Sequence, residues 1–393
     1  MEDWKEYRLG EMIQCNPQVK LEKGKSYNLI DIDSIEIGSR YVKGKELTVY
    51  DGQSGCHFQN GDTVMARITP CLENGKIAQV QCESQKGFGS TELFVFRGTE
   101  NKTDSDYVFN LMSMQFIRNL AANSMTGASG RQRADLGFIK RIKWNFPPLP
   151  TQKKIASILS AYDDLIQNYK KQIQALQTAA SELYKEWFVR FRFPGYQNTK
   201  FENGIPEGWK VEKLFDVAKI IYGYPFNSDE FCDDSSLNPV VRIRDILDNY
   251  TNTYTSETCD EKYWINPNEM LIGMDGIFHM SLWTGKRALQ NQRTVRVTSK
   301  VKNLSNYYLY FSLYPQIKAL EQMIVGTTVA HLGDKHIKKI TILIPEDKIL
   351  KMSFERLEPI MNRIYSLQQQ ITNLTQQRDL LLPRLMSDKL EIK

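Results

Sequence analysis

No run of 18 apolar residues occurs in the 393-residue chain, and its mean hydropathy is −0.45, so a membrane-spanning helix is excluded. The start, Met1-Glu2-Asp3-Trp4-Lys5, is acidic and aromatic where a secretory leader is basic and then apolar, so a cytoplasmic protein is expected. Cysteine is sparse and scattered (15, 56, 71, 82, 232 and 259) with no C-x-x-C spacing, which fits reduced thiols and excludes a disulfide framework. Histidine is scarcer still: His57, His279, His331 and His336 lack the companion ligands that zinc needs, so no metal is expected. None of the Gly-Lys pairs at 24, 44, 75 and 285 follows a glycine five residues earlier, so there is no phosphate-binding P-loop. Asn145-Phe146-Pro147-Pro148 has the wrong order for an amino-methyltransferase signature, and no glycine loop for S-adenosylmethionine accompanies it. No catalytic triad or carboxylate dyad stands out. Charge of one sign is lacking too: the net charge is +5, so any case for nucleic acid must rest on local patches.

What is present is a repeat. Trp4, Lys5 and Leu9 recur as Trp209, Lys210 and Leu214, an offset of 205. Ile139, Lys140, Ile142 and Pro147 recur as Ile337, Lys338, Ile340 and Pro345, an offset of 198. The same 198 carries Leu159, Ile166, Ile173, Leu176 and Leu183 onto Leu357, Ile364, Ile371, Leu374 and Leu381. The back of each copy reads as a long helix with apolar residues stepping by four and three. The first seam is Ile155, Leu159, Tyr162, Ile166, Tyr169, Ile173, Leu176, Ala180, Leu183 and Trp187. The second is Leu357, Ile360, Ile364, Leu367, Ile371, Leu374, Leu381 and Leu385. Ser353 and Arg378 break its pattern, and Pro359 is expected to kink the helix or to mark its first turn. Two seams of equal length favour pairing with each other, with packing on each helix's own domain as the alternative.

The front of each copy reads as β-rich, with alternating runs at 27–37, 63–68, 93–97, 240–246, 270–274 and 294–298. The expected fold is α+β, with two mixed domains and an antiparallel coiled coil. The domains expected are residues 1–147, a first spacer helix 148–193, a linker and second domain 194–345, and a second spacer helix with tail 346–393. Each front is nearly neutral: 19 basic against 18 acidic residues over 1–147, and 17 against 17 over 196–345. Basic residues nevertheless gather locally. Thr126–Arg133 places Gly127, Gly130, Arg131, Gln132 and Arg133 on a turn, and Arg and Gln are the side chains that pair with guanine and adenine edges. Residues 66–76 add Arg67, Thr69, Asn74 and Lys76. In the second copy, residues 284–302 hold Lys286, Arg287, Arg293, Arg296, Lys300 and Lys302 without an acid, and Arg242 and Arg244 fall on one face of an expected strand. Each patch alone reads as solvated surface charge; one per copy points to DNA.

Several motifs resemble the specificity subunit (HsdS) of Type I restriction–modification systems, over essentially the whole chain. They are EWFVRF (186–191) followed by GIPEGWKVEKL (204–214), RDLLLPRLMS (378–387) and PPLPTQKKI (147–155). ARITPCLENGK (66–76), GFGSTE (87–92, with Ser90 and Thr91) and TGASGRQR (126–133) are similar to one class of target-recognition domain. The entrance to the second helix, IPEDKILKM (344–352), departs from the proline-rich, glutamine-bearing pattern, and Ser387-Asp388 stands where Ser-Gly is usual. The resemblance implies two target-recognition domains on an antiparallel coiled coil, each reading half of a split DNA site across a fixed gap. It implies no catalytic centre and no cofactor in this chain. The partners implied are double-stranded DNA, two HsdM methyltransferase subunits and two HsdR restriction subunits, with S-adenosylmethionine, ATP and Mg on those subunits. A methylation-only or fused-type system would have the same features, and a coiled-coil protein adaptor is the remaining alternative.

Overall fold

Strand-forming runs in the first copy are buried on both faces, so they sit inside a sheet and not at its edge. Thr63–Ala66, Ile77–Val80 and Leu93–Gly98 are such runs. A computed structural model describes residues 4–127, 132–324, 330–387 and 390. It divides into two compact units, residues 1–168 with 373–393, and residues 169–372.

In the first unit a five-stranded sheet runs in the order Ile13–Cys15, Leu93–Gly98, Thr63–Ala66, Ile77–Val80, Tyr41–Val42. A second sheet has the order Leu47–Val49, Ser26–Ile30, Lys86–Gly89, Cys56–Gln59, and Lys5–Arg8 pairs antiparallel with Lys143–Phe146. Gly87 and Gly89 serve that second sheet. A Cβ on Gly87 would lie 2.4 Å from the Phe58 ring, and one on Gly89 2.4 Å from the Ile30 carbonyl oxygen.

The second unit repeats this plan. Its first sheet is Ala218–Tyr222, Thr294–Ser299, Met270–Gly273, Met280–Leu282, and its second is Tyr254–Thr255, Asn238–Val241, Ala288–Gln290, Trp264–Ile265. Lys210–Lys213 pairs with Thr341–Ile344, placing Lys210 opposite Ile344 as Lys5 stands opposite Phe146. Asn28 pairs parallel with Gly87, and Val240 parallel with Leu289. Apart from Tyr41–Val42, which has no counterpart strand among the described residues of the second unit, the repeat therefore extends to strand order and direction.

Two long helices complete the α+β fold. The first runs Leu149–Tyr184 and widens into a π-helical turn over Lys185–Val189. Pro150 occupies its first turn, where a missing N–H costs nothing. Buried Gln152 fixes the entrance: its amide donates to the carbonyls of Lys102 and Pro147, and its oxygen accepts from Asp104 N–H. The second helix runs Asp347–Leu385. Pro359 lies inside it, so it is not the first turn that the sequence suggested.

Each unit contains stretches of both helices, and there they pair. In the first unit Ile155, Leu159 and Leu385 share one core with Leu9, Phe94 and Tyr107. In the second, Ile173, Ala180 and Trp187 share a core with Leu357, Ile364, Leu367 and the sheet residues Met270 and Val295. Gln172 meets Arg363, and Trp187 lies under the Arg356 guanidinium, so rising numbers in one helix meet falling numbers in the other. Packing on the partner helix and on the domain are both present. The two residues that broke the pattern have local partners. Ser353 is buried with its hydroxyl donating to Leu350 O, and Arg378 donates to Asp163 at 2.7 Å.

Candidate nucleic-acid interface

Three separate segments of the first unit converge at the ends of two neighbouring strands, Thr63–Ala66 and Leu93–Gly98. Arg67 N–H donates to Glu92 O, Ala134 N–H to Arg67 O, and Thr69 N–H to Gln132 O. Arg133 and Thr126 exchange both backbone hydrogen bonds, and Gly127 beside them is exposed. Gly130 and Arg131 lie outside the described residues. At the centre stands Glu92, a residue that the sequence reading passed over. Its carboxylate accepts from Arg133 Nε at 2.9 Å and Nη2 at 2.7 Å, and from Arg67 Nε at 3.4 Å. The Arg133 hydrogen bond holds the Glu92 carboxyl below its ordinary range. Arg133 keeps 42% of its side chain exposed, so the acid orients the guanidinium without burying it.

The other candidates of this unit are spread around that centre. Ser90 Oγ accepts from Glu92 N–H, Thr91 is exposed, and Thr69 Oγ1 donates to Glu73. Arg67 and Thr91 line a cavity of about 460 Å³ with Asn16, Gln18, Lys20 and His57. Asn74 is exposed. Lys76 turns inward, donating to Ile32 O at 2.8 Å and facing Asp33 at 3.7 Å, which gives it a structural task.

In the second unit the acid-free run of sequence is not acid-free in space. Arg296 is buried and paired with Glu269 at 2.6 Å. Arg287 stacks on Trp264 at 4.4 Å and pairs with Glu261, and Lys300 donates to Phe215 O. Lys286 and Lys302 are exposed. Arg293 faces Asp275 at 3.6 Å, and Asp275 also holds His331 Nδ1 at 2.6 Å. Arg242 and Arg244 do not share a strand face. The strand Asn238–Val241 ends before them, and Ile243–Asp245 forms a 3-10 turn. Arg242 folds onto Thr253 and the Phe231 ring, while Arg244 remains exposed beside Asp245. Burial pushes the Asp245 carboxyl up to about 6, outweighing the opposing pull of Arg244.

Among the described residues no three His, Cys, Asp or Glu side chains gather as a metal site, and no helix is long and apolar enough to cross a membrane.

The domain repeat and the converging motifs agree with what the chain is similar to. The Type I restriction modification DNA specificity domain matches it twice, over residues 1–178 and 206–376. The Type I restriction enzyme MjaIX specificity subunit of Methanocaldococcus jannaschii is 28% identical over 306 residues, spanning 74% of this chain and 70% of that protein. The MjaVIII specificity subunit of the same organism is 24% identical over 100% of this chain and 94% of its own length. The solved S subunit of a Type I restriction-modification system from M. genitalium shares the fold, with a TM-score of 0.57 at 12% identity over 100% of this chain and 97% of that one. With two copies of the domain covering most of its length, the chain belongs to the Type I restriction modification DNA specificity family.

Proposed function

We propose that this chain is the non-catalytic specificity subunit of a Type I restriction–modification complex. Each unit reads one half of a bipartite site in double-stranded DNA, and the paired helices fix the gap. The observation that carries this is duplication: one DNA specificity domain matches twice, and the strand order and pairing directions of the first unit recur in the second. Two reading modules in one chain suit a split target better than a continuous one. In the first module Gly127, Gln132, Arg133 and Arg67 stand together beside Thr91, a mix of flexible backbone, guanidinium and amide suited to phosphates and base edges. Arg131, next to Gln132 in the sequence, is counted with them. The second module offers the exposed guanidiniums of Arg244 and Arg293, whereas Arg287 is engaged by Glu261 and Trp264. Two HsdM subunits carrying S-adenosylmethionine and two HsdR subunits using ATP and Mg supply the chemistry, and the complex works in the cytoplasm.

The test is to express the full chain with its methyltransferase partner in a host without adenine methylation and to sequence the methylated adenines. One motif with two specified halves and a constant gap is expected. Methylation at a continuous motif, or none that depends on this chain, would reject the reading.

A further inference from the structure

The register of the repeat can be followed through the loops, and there it leads away from the basic run. In the first unit Arg67 N–H donates to Glu92 O, Thr69 N–H to Gln132 O, and Ala134 N–H to Arg67 O. In the second, Met274 N–H donates to Arg293 O, Gly276 N–H to Ala330 O, and Leu332 N–H to Met274 O. Ile68 bridges Arg133 as Asp275 bridges His331. Three hydrogen bonds and one bridge thus superpose the loops: residues 67–69 fall on 274–276, Glu92 on Arg293, and 132–134 on 330–332. The last offset is the 198 that the sequence carries from Ile139 onward.

The side chains at these places differ, yet they rebuild the same chemistry. In the first unit Glu92 holds Arg133 and Arg67. In the second unit Asp275 holds His331 at 2.6 Å and faces Arg293 at 3.6 Å. The acid has moved from the second segment to the first, and its nitrogen partners now come from the second and third. Both acids are partly sheltered, Glu92 at 20% exposed and Asp275 at 29%. Arg133, Arg293 and His331 remain open at 42%, 59% and 46%. Exposed pairs of this kind contribute little to stability, which leaves these side chains available to meet a ligand. Arg293 also holds a left-handed backbone, φ 66°, which is uncommon outside glycine and asparagine and gathers at functional sites. Lys286 and Arg287, by contrast, follow a different turn, and Arg287 is already occupied by Glu261 and Trp264.

We infer that Arg293 and His331, oriented by Asp275, are the DNA-contacting residues that set the second half-site, as Arg67 and Arg133 on Glu92 set the first. This rests on the DNA-reading function proposed above. Arginine offers a guanine edge two donors, and histidine offers one donor to a base or phosphate.

The experiment uses the full chain with its methyltransferase partner and three double variants: Arg293→Ala with His331→Ala, Arg67→Ala with Arg133→Ala, and Lys286→Ala with Arg287→Ala. Methylated adenines are mapped for each, and affinity is measured on duplexes with either half-site scrambled. The Arg293/His331 variant should relax the second half-site alone and weaken cognate binding roughly tenfold to a hundredfold. The Arg67/Arg133 variant should relax the first half-site alone. The milder Arg293→Lys with His331→Gln gives the same readout if the alanine pair does not fold. A second half-site still fully specified in either Arg293/His331 variant, or relaxed by the Lys286/Arg287 variant instead, overturns the inference and leaves the DNA-reading function standing. Absence of any split motif in the unaltered complex removes that function itself.

Discussion

Glu92 accepts hydrogen bonds from two arginines and restricts their rotamers, so on the proposed DNA-binding surface less entropy would be lost when they meet DNA. Arg133→Ala should therefore cost about 1–3 kcal/mol of binding and relax one base position of the first half-site if it reads a base edge. If it holds phosphate, binding weakens alike on all sequences and the salt slope falls by about one; titrations at three salt concentrations separate the two. The same measurement applies to Arg131. Asp245 allows a prediction about pH. Its carboxyl, raised to about 6 by burial, takes up a proton in the folded chain at a pH where the unfolded chain has released it. The associated stability is full below the ordinary carboxylate range and falls as pH rises through about 6. Denaturant midpoints at pH 4 and 7 should show this decline, and Asp245→Asn should flatten it. Arg67 and Arg133 were candidates from the sequence alone, because guanidinium groups next to turns can reach base edges and phosphates. Glu92, Asp275 and His331 were not, because an acid or a lone imidazole in a basic setting gains meaning only from its neighbours. The offset of 198 does carry Arg133 onto His331, but Glu92 meets Arg293 at an offset of 201 and Ile68 meets Asp275 at 207, so only the backbone pairing of the loops assembles the second cluster.

At the level of elements, alternation located the strands but overshot their ends. The run 27–37 yields the strand Ser26–Ile30 and a 3-10 turn Ile32–Ser34, and 240–246 divides in the same way. Short-range turn bonds, such as that from Ser34 N–H to the Asp31 carboxylate, end these strands, and apolar spacing does not record them. Arg378 was illegible for another reason: its partner Asp163 lies 215 positions away. Asp163 is 3% exposed and is flanked by Arg378 and Arg40, and burial raises its carboxyl while both arginines oppose this. The repeat relates Asp163 to Met361 and Arg378 to Ala180, both buried apolar residues. One end of the seam is therefore ionic where the other is apolar. Arg378→Ala alone should destabilise by about 3 kcal/mol, because it removes the arginine that hydrogen-bonds a buried carboxylate and leaves it only the more distant Arg40. Asp163→Met with Arg378→Ala, which copies the apolar end, should recover most of that loss. Arg40 would still hold Gln79 and Asp106. Chemical unfolding of the two variants and the unaltered chain completes the comparison, and a double variant no more stable than Arg378→Ala would mean that the pair is not the source.

At the level of the whole molecule, the seam from Ile155 to Trp187 is 32 steps, about 48 Å of helix at roughly 1.5 Å per residue. Along B-DNA that equals about 14 base pairs at roughly 3.4 Å each, an upper bound on the separation of half-site centres if the helices act as the ruler. Half-sites one helical turn apart, about 10 base pairs, would present the same face of the duplex to one rigid reader. A paired helix cannot stretch by one base-pair step without breaking seam contacts, so the gap should be constant. Adding one heptad to both helices preserves the order of seam residues and lengthens the pair by about 10 Å, close to 3 base pairs. Two residues added to one helix instead rotate its seam by roughly 200° and should abolish assembly. Mapping methylated adenines for the heptad-lengthened chain decides the matter. A gap longer by about 3 base pairs with both half-sites unchanged is expected. An active variant that keeps the original gap would show that the spacing is set elsewhere, and the helices would then serve only to hold the cores they share with each unit.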